Sequence, residues 1–479
     1  MSICKQTRIL AVLCCALFAF LAPSAASSAS RPLVTGVEQP NTNTTDLRDA
    51  YGRISNTGAG VVRIILYWDS VQPSATGSYQ WTEPDKQIGN ALAQGLDPLV
   101  TVWRAPAWAE HGSTGERGTR KPDAPAFGAF ARALANHYPA VHRWEAWNEP
   151  NQPHFLQPQT RNKKPYSPVL YRDLLNAFAK GIHAVDPGDT VAGGALSPRY
   201  KIAPLAFMRK LFCLTSRNKR AARCPVHVDA WSHHPYTNGG PFAKQGTPDG
   251  VSLGDLPRMR STLRAAAAAG NIVTKKPAVG FWISEFSWDT DGPDPDAVPM
   301  RLHTRWVAEA LYQSYRSGAS LFVWHQLRDR PLKTSPYQSG FYYCGNSSVA
   351  DDDPSSSSFC RDGAMLDRDE AKSSTIRAFR FPFVAYAKNG RVRVWGRTPD
   401  AKAHTVAIKR KVSGHWRLVK SIPANANGIF AASWRSSDRR HVYQAYASSD
   451  ANSAPFSLRR PKGFKFDKSM WGCGGFIAC

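Results

Sequence analysis

Two glutamates in this 479-residue sequence each follow an apolar segment that contains tryptophan. Glu149 lies in residues 147–150, which read Trp-Asn-Glu-Pro, and Glu285 ends residues 282–285, which read Trp-Ile-Ser-Glu. One isolated glutamate of this kind is usually a solvated loop residue. Two carboxyl groups at one site can instead cleave a glycosidic bond, because one protonates the leaving oxygen while the other attacks the sugar carbon.

The segments before these glutamates belong to an alternation of apolar, strand-like runs and helical patterns. Apolar residues between the runs recur at steps of three and four, as at Phe127, Phe130 and Leu134, which predicts helices. Strand and helix alternation predicts an α/β fold, a (β/α)8 TIM barrel whose active site lies at the C-terminal strand ends. Glu149 and Glu285 then follow strands four and seven and face one mouth. The eight predicted strands cover residues 33–37, 61–67, 98–103, 143–148, 190–196, 228–233, 278–284 and 320–325.

The apolar period changes to two from about residue 381, with turn residues such as Asn389-Gly390 between the runs. That pattern predicts a small C-terminal antiparallel β-sandwich after the barrel. We therefore divide the chain into a signal peptide at 1–29, a catalytic barrel at 30–380, an accessory sandwich at 381–458 and a basic tail at 459–479. The tail ends in a cysteine pair.

The N-terminal segment has the pattern of a secretory signal. Lys5 and Arg8 precede an apolar run at residues 9–22, and small residues follow at 24–30. The run is short for a membrane span, and no later segment has about 18 uninterrupted apolar residues. We expect a secreted protein, extracellular or cell-wall associated, without a transmembrane segment.

Six of the nine cysteines lie beyond this signal and form sequence-local pairs. In an oxidising compartment they predict three disulfides. Zinc is the alternative, but the sequence lacks the CxxC spacing and nearby histidines that zinc sites use. We expect neither a metal nor a cofactor. The predicted pairs are Cys213 with Cys224, Cys344 with Cys360, and Cys473 with Cys479.

The formal net charge is +25, which attracts polyanions. For a secreted protein these include acidic polysaccharides, teichoic-type polymers and membrane headgroups. No motif for specific nucleic-acid recognition accompanies the charge. Solubility and nonspecific adhesion to a cell wall account for this charge slightly better than recognition of an anionic substrate, which stays one candidate among several.

Residues 144–151 read Trp-Glu-Ala-Trp-Asn-Glu-Pro-Asn, which resembles the strand-four signature of glycoside hydrolase clan A. These are retaining (β/α)8 glycosidases, and the motif is most similar to those of families 39 and 5. The resemblance covers residues 31–380. It implies that Glu149 is the general acid/base and Glu285 the nucleophile, with their carboxyl groups about 5–5.5 Å apart.

The same resemblance implies roles for other residues of the barrel. Asn148 would hydrogen-bond the sugar 2-hydroxyl. Tyr236 and Arg63 would hold the nucleophile, and His234 would line the site. Trp324 resembles the aromatic floor beneath the sugar.

Several residues near the strand ends have competing interpretations. Glu145 is expected to be a buried structural residue. Glu38, at the end of strand one, is a weaker candidate for a residue that lines the mouth of the barrel. The aspartates between residues 289 and 296 could bind calcium, although turn formation is the commoner reason for such residues. At least one of Trp103, Trp108 and Trp288 is expected to stack on sugar, and Trp103 is our substrate-binding candidate.

Three functions compete. The first is a secreted retaining glycoside hydrolase that cleaves a polysaccharide or oligosaccharide through a covalent glycosyl-enzyme. The second is a non-catalytic carbohydrate- or wall-binding protein on the same barrel, and the third is charge-driven adhesion to polyanions. The presence of both glutamates and of Asn148 favours the enzyme.

Overall fold

Eight parallel strands close into a barrel in the computed structural model of this protein, with neighbouring strands paired in the order β1-β8-β7-β6-β5-β4-β3-β2. The TIM barrel predicted from the sequence is thus confirmed. The strands are β1 (Val34–Glu38), β2 (Val61–Tyr67), β3 (Asp97–Trp103), β4 (Arg143–Ala146), β5 (Thr190–Leu196), β6 (Ala230–His233), β7 (Gly280–Phe286) and β8 (Leu321–Trp324).

The structure describes residues 31–38, 47–112, 115–290, 297–331, 337–345, 369–461 and residue 464. The predicted signal peptide, Cys360 and the predicted Cys473–Cys479 pair lie outside these ranges. So does most of the acidic loop considered for calcium, residues 291–296. Within the described ranges, none of the helices combines the length and the hydropathy that crossing a bilayer requires.

Helices surround the barrel and bury their apolar faces against it. In α4, Phe127, Phe130 and Leu134 are fully buried, as their spacing predicts, and the side chain of Asp123 caps the helix by accepting from the Ala126 amide. The last long helix, α8, is capped at its C-terminus by Gly318, whose φ of 106° suits glycine. The helices are α1 (Leu47–Asn56), α2 (Trp68–Val71), α3 (Thr82–Ala93), α4 (Ala124–His137), α5 (Ser167–His183), α6 (Pro204–Leu211), α7 (Leu256–Ala268), α8 (Met300–Ser317) and α9 (Ser373–Arg380).

The inside of the barrel has two layers of different chemistry. The lower layer, towards the N-terminal strand ends, is an apolar cluster separate from the core under the helices. Two residues further along the strands, the inward positions carry polar and charged side chains. The lower layer comprises Val61, Leu99, Ala192, Ala230, Trp282, Leu321 and Val323; the upper layer includes Arg63, Thr101, Glu145, Ser232 and Ser284, all fully buried.

Two antiparallel sheets follow the barrel, as the sequence predicts, with strand orders β9-β10-β13 and β12-β11-β14-β15. They pack on α8, where the Trp395 ring lies 5.3 Å from Tyr312 and 5.2 Å from Tyr315 between centroids. The strands are β9 (Phe383–Lys388), β10 (Arg391–Arg397), β11 (Thr405–Val412), β12 (His415–Pro423), β13 (Ile429–Arg435), β14 (Val442–Tyr446) and β15 (Phe456–Ser457).

The first predicted disulfide is present. Cys213 and Cys224 are bonded, with their Cα atoms 5.9 Å apart, and they close a short loop after α6. Cys344 is also disulfide-bonded, while its predicted partner lies outside the described residues.

Candidate active site

The backbone at the end of β4 turns Glu149 towards the mouth. The sequence predicts a strand up to residue 148, but β4 ends at Ala146 because Trp147 and Glu149 adopt left-handed conformations, with φ of 71° and 38°. The indole of Trp147 therefore packs outward, 5.4 Å from the Phe127 ring. The amide of Glu149 donates to the Ala195 carbonyl on β5 at 3.0 Å. Strained backbone of this kind is typical of functional sites.

The carboxyl group of Glu149 is 3% exposed and is held by two neighbours. Oε1 lies 2.8 Å from Nδ1 of His234, and Oε2 accepts from the side-chain amide of Gln152. Burial raises the pKa of Glu149 above its ordinary value, even though the contact with His234 works in the opposite direction. A raised pKa keeps a proton available for donation near neutral pH.

The carboxylate of Glu285 has a different environment. Oε2 accepts from Nη1 of Arg63 at 2.8 Å, and Oε1 accepts from the hydroxyl of Tyr236 at 2.8 Å. Two donors thus orient both oxygens, and one of the donors carries a full positive charge. This arrangement suits a nucleophile that must remain an anion.

The two glutamates lie close together at one mouth. One carboxylate oxygen of Glu149, one of Glu285 and one ring nitrogen of His234 all lie within 4.8 Å of one another. His234 lies between them, since its Nδ1 is 2.8 Å from Glu149 and 3.7 Å from Glu285. Its Nε2 is 3.1 Å from the Ser284 hydroxyl. Burial opposes protonation of this ring, but the charges of Glu285 and Glu149 outweigh it and raise the His234 pKa.

Arg63 is the centre of a buried charge network. Its guanidinium has no exposed surface and contacts Glu38 at 2.6 Å, Glu145 at 3.1 Å and Glu285 at 2.8 Å. Burial alone would raise the pKa of Glu145, but the charge of Arg63 outweighs it and the pKa is lowered. Glu145 is therefore a buried partner of Arg63, the position expected for a structural glutamate.

Asn148 is oriented by the same guanidinium. Its Oδ1 accepts from Nη2 of Arg63 at 2.8 Å. Because the oxygen is engaged, the amide nitrogen is the end of the side chain that is left to donate to a substrate hydroxyl.

The aromatic candidates separate into two groups. Trp103, at the C-terminal end of β3, is partly exposed and packs its ring against Tyr67 at 5.7 Å and Phe155 at 4.9 Å. Trp324 is fully buried and stacks on Phe341 at 5.5 Å between ring centroids. The expectation that Trp324 forms a sugar-contacting floor does not fit this position, because its indole points out of the barrel into the helical layer.

The other two tryptophan candidates, Trp288 and Trp108, are less suitable for contact with a sugar. Trp288 is 2% exposed and packs on Phe286. Trp108 is half-buried and donates to the Gln72 carbonyl at 3.1 Å. Of the aromatic candidates, Trp103 therefore has the most suitable position for stacking on sugar.

The sequence patterns do not identify four further residues at the mouth: Gln152, Ser284, His325 and Tyr337. His325 Nδ1 lies 3.1 Å from Oε1 of Glu38, and its ring meets Tyr337 edge-on at 5.3 Å. Burial opposes protonation of His325, but the charge of Glu38 outweighs it and raises the His325 pKa. The alternation along β8, in which Leu321 and Val323 face inward, identifies position 325 rather than 324 as the next inward residue.

Two carboxylate–histidine groups here have the spacing of metal ligands. They are Glu149, His234 and Glu285, and Glu38, His325 and Glu285. Both share Glu285, whose Oε2 is 2.8 Å from the guanidinium of Arg63. A cation bound by either group would meet that positive charge, so the residues fit proton and sugar chemistry better than metal binding.

Known structures share this architecture. A family 39 glycoside hydrolase from the gut symbiont Bacteroides cellulosilyticus WH2 is 15% identical, with a TM-score of 0.54 over 85% of this chain and 80% of that chain. A GH39 enzyme from Xanthomonas axonopodis pv. citri is 16% identical, with a TM-score of 0.49 over 85% of this chain and 92% of that chain. No protein-family model matches the sequence, and no curated protein matches it either. The first likeness shows that this chain has the barrel fold of that glycoside hydrolase, the fold that residues 144–151 predict.

Proposed function

We propose that this protein is a retaining glycoside hydrolase that cleaves O-glycosidic bonds of a polysaccharide or oligosaccharide. The observation that carries the proposal is the pair of glutamates at one mouth, with oxygens within 4.8 Å and contrasting partners. Glu149 has a raised pKa, whereas Glu285 is bound by Arg63 and Tyr236. One oxygen of each carboxyl group within 4.8 Å fits the separation of about 5–5.5 Å in retaining enzymes better than that of about 6.5–9.5 Å in inverting enzymes.

In the first step, Glu149 transfers its proton to the glycosidic oxygen while an oxygen of Glu285 attacks the anomeric carbon. The bond from that carbon to the leaving oxygen breaks, the leaving group departs as an alcohol, and a glycosyl ester forms on Glu285. Arg63 and Tyr236 orient the attacking carboxylate, and Asn148 can donate to the 2-hydroxyl as the transition state develops.

In the second step, Glu149 is an anion and removes a proton from water. The oxygen of that water bonds to the anomeric carbon while the ester bond to Glu285 breaks. The two inversions give net retention, and both glutamates return to their starting protonation states. His234 contacts both carboxyl groups, at 2.8 Å and 3.7 Å, so it can stabilise the negative charge as it moves between them.

A panel of 4-nitrophenyl glycosides that differ in the sugar tests this function. At least one should release nitrophenol, and NMR of the first product should show the anomer of the substrate. Glu285→Gln should lose nearly all turnover while it still binds the glycoside. Glu309→Gln is the matched control, because Glu309 is a buried glutamate on α8 that pairs with Arg305 outside the barrel; its turnover should equal that of the wild type.

Two results would contradict the proposal. An inverted first product would remove Glu285 from the role of nucleophile. A protein that binds glycans and cleaves none would favour the second hypothesis, a carbohydrate-binding protein on the same barrel.

We also propose that the protein acts outside the cytoplasm, secreted or attached to the cell wall. The Cys213–Cys224 disulfide supports this, because such bonds persist in oxidising compartments. Fractionation of the producing cells, with mass spectrometry of the protein from the medium, tests it. The proposal predicts mature protein in the medium or wall fraction that begins near residue 27 or 30, and intact protein confined to the cytoplasm would refute it.

A further inference from the structure

A second groove lies on the flank of the barrel, where the β-sandwich meets the helices. We call it the flank groove; its walls are the first half of α8, part of α9, the β11–β12 hairpin and residues 454–461. Its volume is about 1010 Å³, at the upper end of the ~300–1,000 Å³ that is common for ligand sites. None of the residues that form the mouth lines it.

The rim of the flank groove is cationic. Arg301, Lys411, Arg459 and Arg460 line it and are exposed. Among its described lining residues there is no aspartate or glutamate. Arg305 is a fifth basic residue, already engaged with Glu309 at 3.0 Å. The other four cations have no acidic residue beside them in the described lining, and like charges gathered in this way raise the local potential and attract an anion.

The floor of the flank groove is apolar. Phe381, Phe383 and Phe456 are nearly fully buried there. Trp416 is only half-buried and offers a ring at the wall, with Nζ of Lys411 5.9 Å from its centroid. An aromatic surface beside cations complements a ligand with flat C–H faces and regularly spaced negative charges.

The position of the flank groove relates it to the mouth. β7 carries Glu285 at its C-terminal end, and the chain then leads to the start of α8 at Met300. The first turns of α8 therefore lie at the mouth end of the barrel, and these turns form one wall of the groove.

We propose that the flank groove binds a carboxylated polysaccharide, an acidic chain of the polyuronate class, separately from the catalytic mouth. The identification of the ligand as a glycan rests on the proposed function. The cationic rim would bind the carboxylates of such a chain, and the ring of Trp416 would stack on the face of one of its sugars. A duplex nucleic acid, whose bases are stacked inside the helix, or a membrane would use the charges without requiring this ring.

The experiment measures the affinity of the full-length protein for polygalacturonate by affinity electrophoresis in native gels. The groove variant combines Arg301→Ser, Arg459→Ser and Arg460→Ser. The control combines Arg217→Ser, Lys219→Ser and Arg220→Ser, three exposed cations of the Cys213–Cys224 loop, and removes the same charge. We expect Kd to rise about tenfold or more for the groove variant, since exposed ion pairs each contribute modestly, and about twofold or less for the control.

A second variant, Trp416→Ala, leaves the charge unchanged. It should weaken binding of polygalacturonate about threefold or more, whereas adhesion by charge alone predicts no change. Double-stranded DNA at the same concentration of negative charge should bind less tightly than polygalacturonate. Equal loss in the groove and control variants, or equal binding of DNA together with an unchanged Trp416→Ala variant, would overturn the proposal.

The chain's own C-terminal segment is the competing occupant. A photoreactive p-benzoylphenylalanine at position 416 of the full-length protein distinguishes the two. Cross-linking to added polygalacturonate supports the proposal, whereas cross-linking only to residues 465–479 overturns it. Activity on small aryl glycosides should be unchanged in the groove variants. If no aryl glycoside is cleaved by the wild type, the proposed function fails, and the affinity ratios still decide whether the groove binds anions.

Discussion

The two layers inside the barrel are built by the same strands and have opposite chemistry. Val61 and Arg63 are both inward residues of β2, and Trp282 and Ser284 are both inward residues of β7. The lower layer is wholly apolar and stabilises the barrel by burial. The upper layer buries Arg63 among three carboxylates, an arrangement whose desolvation penalty is large. A stable lower layer lets the same strands hold a destabilising charge network at the mouth.

The pKa values in the upper layer depend on which charged partners each buried carboxyl group contacts. The pKa of Glu38 is lowered because the charges of His325 and Arg63 outweigh the effect of burial. Glu149, in contrast, has no guanidinium contact among the residues that the structure describes, and burial prevails and raises its pKa. Within one buried cluster, the contact with Arg63 thus lowers the pKa of Glu38 and Glu145, while Glu149 has a raised pKa and can act as an acid.

The largest effect is predicted for removal of the carboxyl group of Glu149, the acid of the upper layer. Glu149→Ala should lower kcat/KM about 10²–10⁴-fold for alkyl glycosides, which require protonation to depart. The loss should be much smaller for 2,4-dinitrophenyl glycosides, because dinitrophenolate leaves without a proton. Steady-state kinetics across a leaving-group series measure this, and an equal loss for every leaving group would contradict the role of Glu149.

The second prediction concerns the stability of the fold when Arg63, the centre of the charge network, is replaced. Arg63→Met should destabilise the fold by about 3–5 kcal/mol, because it leaves buried carboxylates without their cation. Burial then raises the pKa of Glu145 above its unfolded value, so the lost stability should be partly restored as pH falls from 7 to 5. Leu99→Ala, in the lower layer, should cost about 2–5 kcal/mol independently of pH. Urea unfolding at both pH values compares them, and a pH-independent loss for Arg63→Met would contradict this account.

The third effect concerns the aromatic wall. Trp103→Ala should raise KM about tenfold and change kcat little, because a stacked sugar loses contact in the ground state and transition state alike. Trp324→Phe is the comparison, since its indole lies outside the mouth; it should lower thermal stability and leave KM unchanged. A larger change in KM for Trp324→Phe than for Trp103→Ala would reverse our placement of the two rings.

The smallest predicted effect concerns the pH dependence of activity, which the raised pKa of Glu149 should set. Activity requires protonated Glu149 in the first step, so kcat/KM should fall as pH rises through its raised pKa. Gln152 donates to the anionic form of Glu149. Gln152→Leu removes that donor and disfavours the anion, so the alkaline limb should move to higher pH. An alkaline limb that stays in place or moves to lower pH would show that Gln152 does not tune Glu149.

Much of the barrel could be predicted from the sequence because each strand is a short apolar run between helical patterns. Local backbone exceptions were harder to predict. The left-handed conformation at Trp147 ends β4 before residue 148, and no local propensity signals it. Arg63 is an inward residue of β2, and Asn148 and Tyr236 follow β4 and β6, so their positions on the barrel strands bring all three to the predicted glutamates. The sequence interpretation of Trp324 is one residue out of register with the inward face of β8.

Other contacts at the mouth depend on tertiary structure. Gln152 reaches Glu149 only because the chain makes a turn directly after Pro150. Tyr337 meets His325 from a loop beyond β8, at a distance along the chain that no spacing rule fixes. Strand periodicity therefore predicts which strand end carries chemistry, and loops decide which further side chains join it.

The glycosyl azide formed by alanine variants in the presence of azide tests the central assignment most directly. For Glu149→Ala, azide should attack the glycosyl ester on Glu285, and NMR should show a product with the anomeric configuration of the substrate. For Glu285→Ala, azide should occupy the space of the lost carboxylate and attack the substrate directly, which gives the opposite anomer. Exchange of the two configurations between the variants, or the same configuration from both, would contradict the assignment of Glu149 as acid/base and Glu285 as nucleophile.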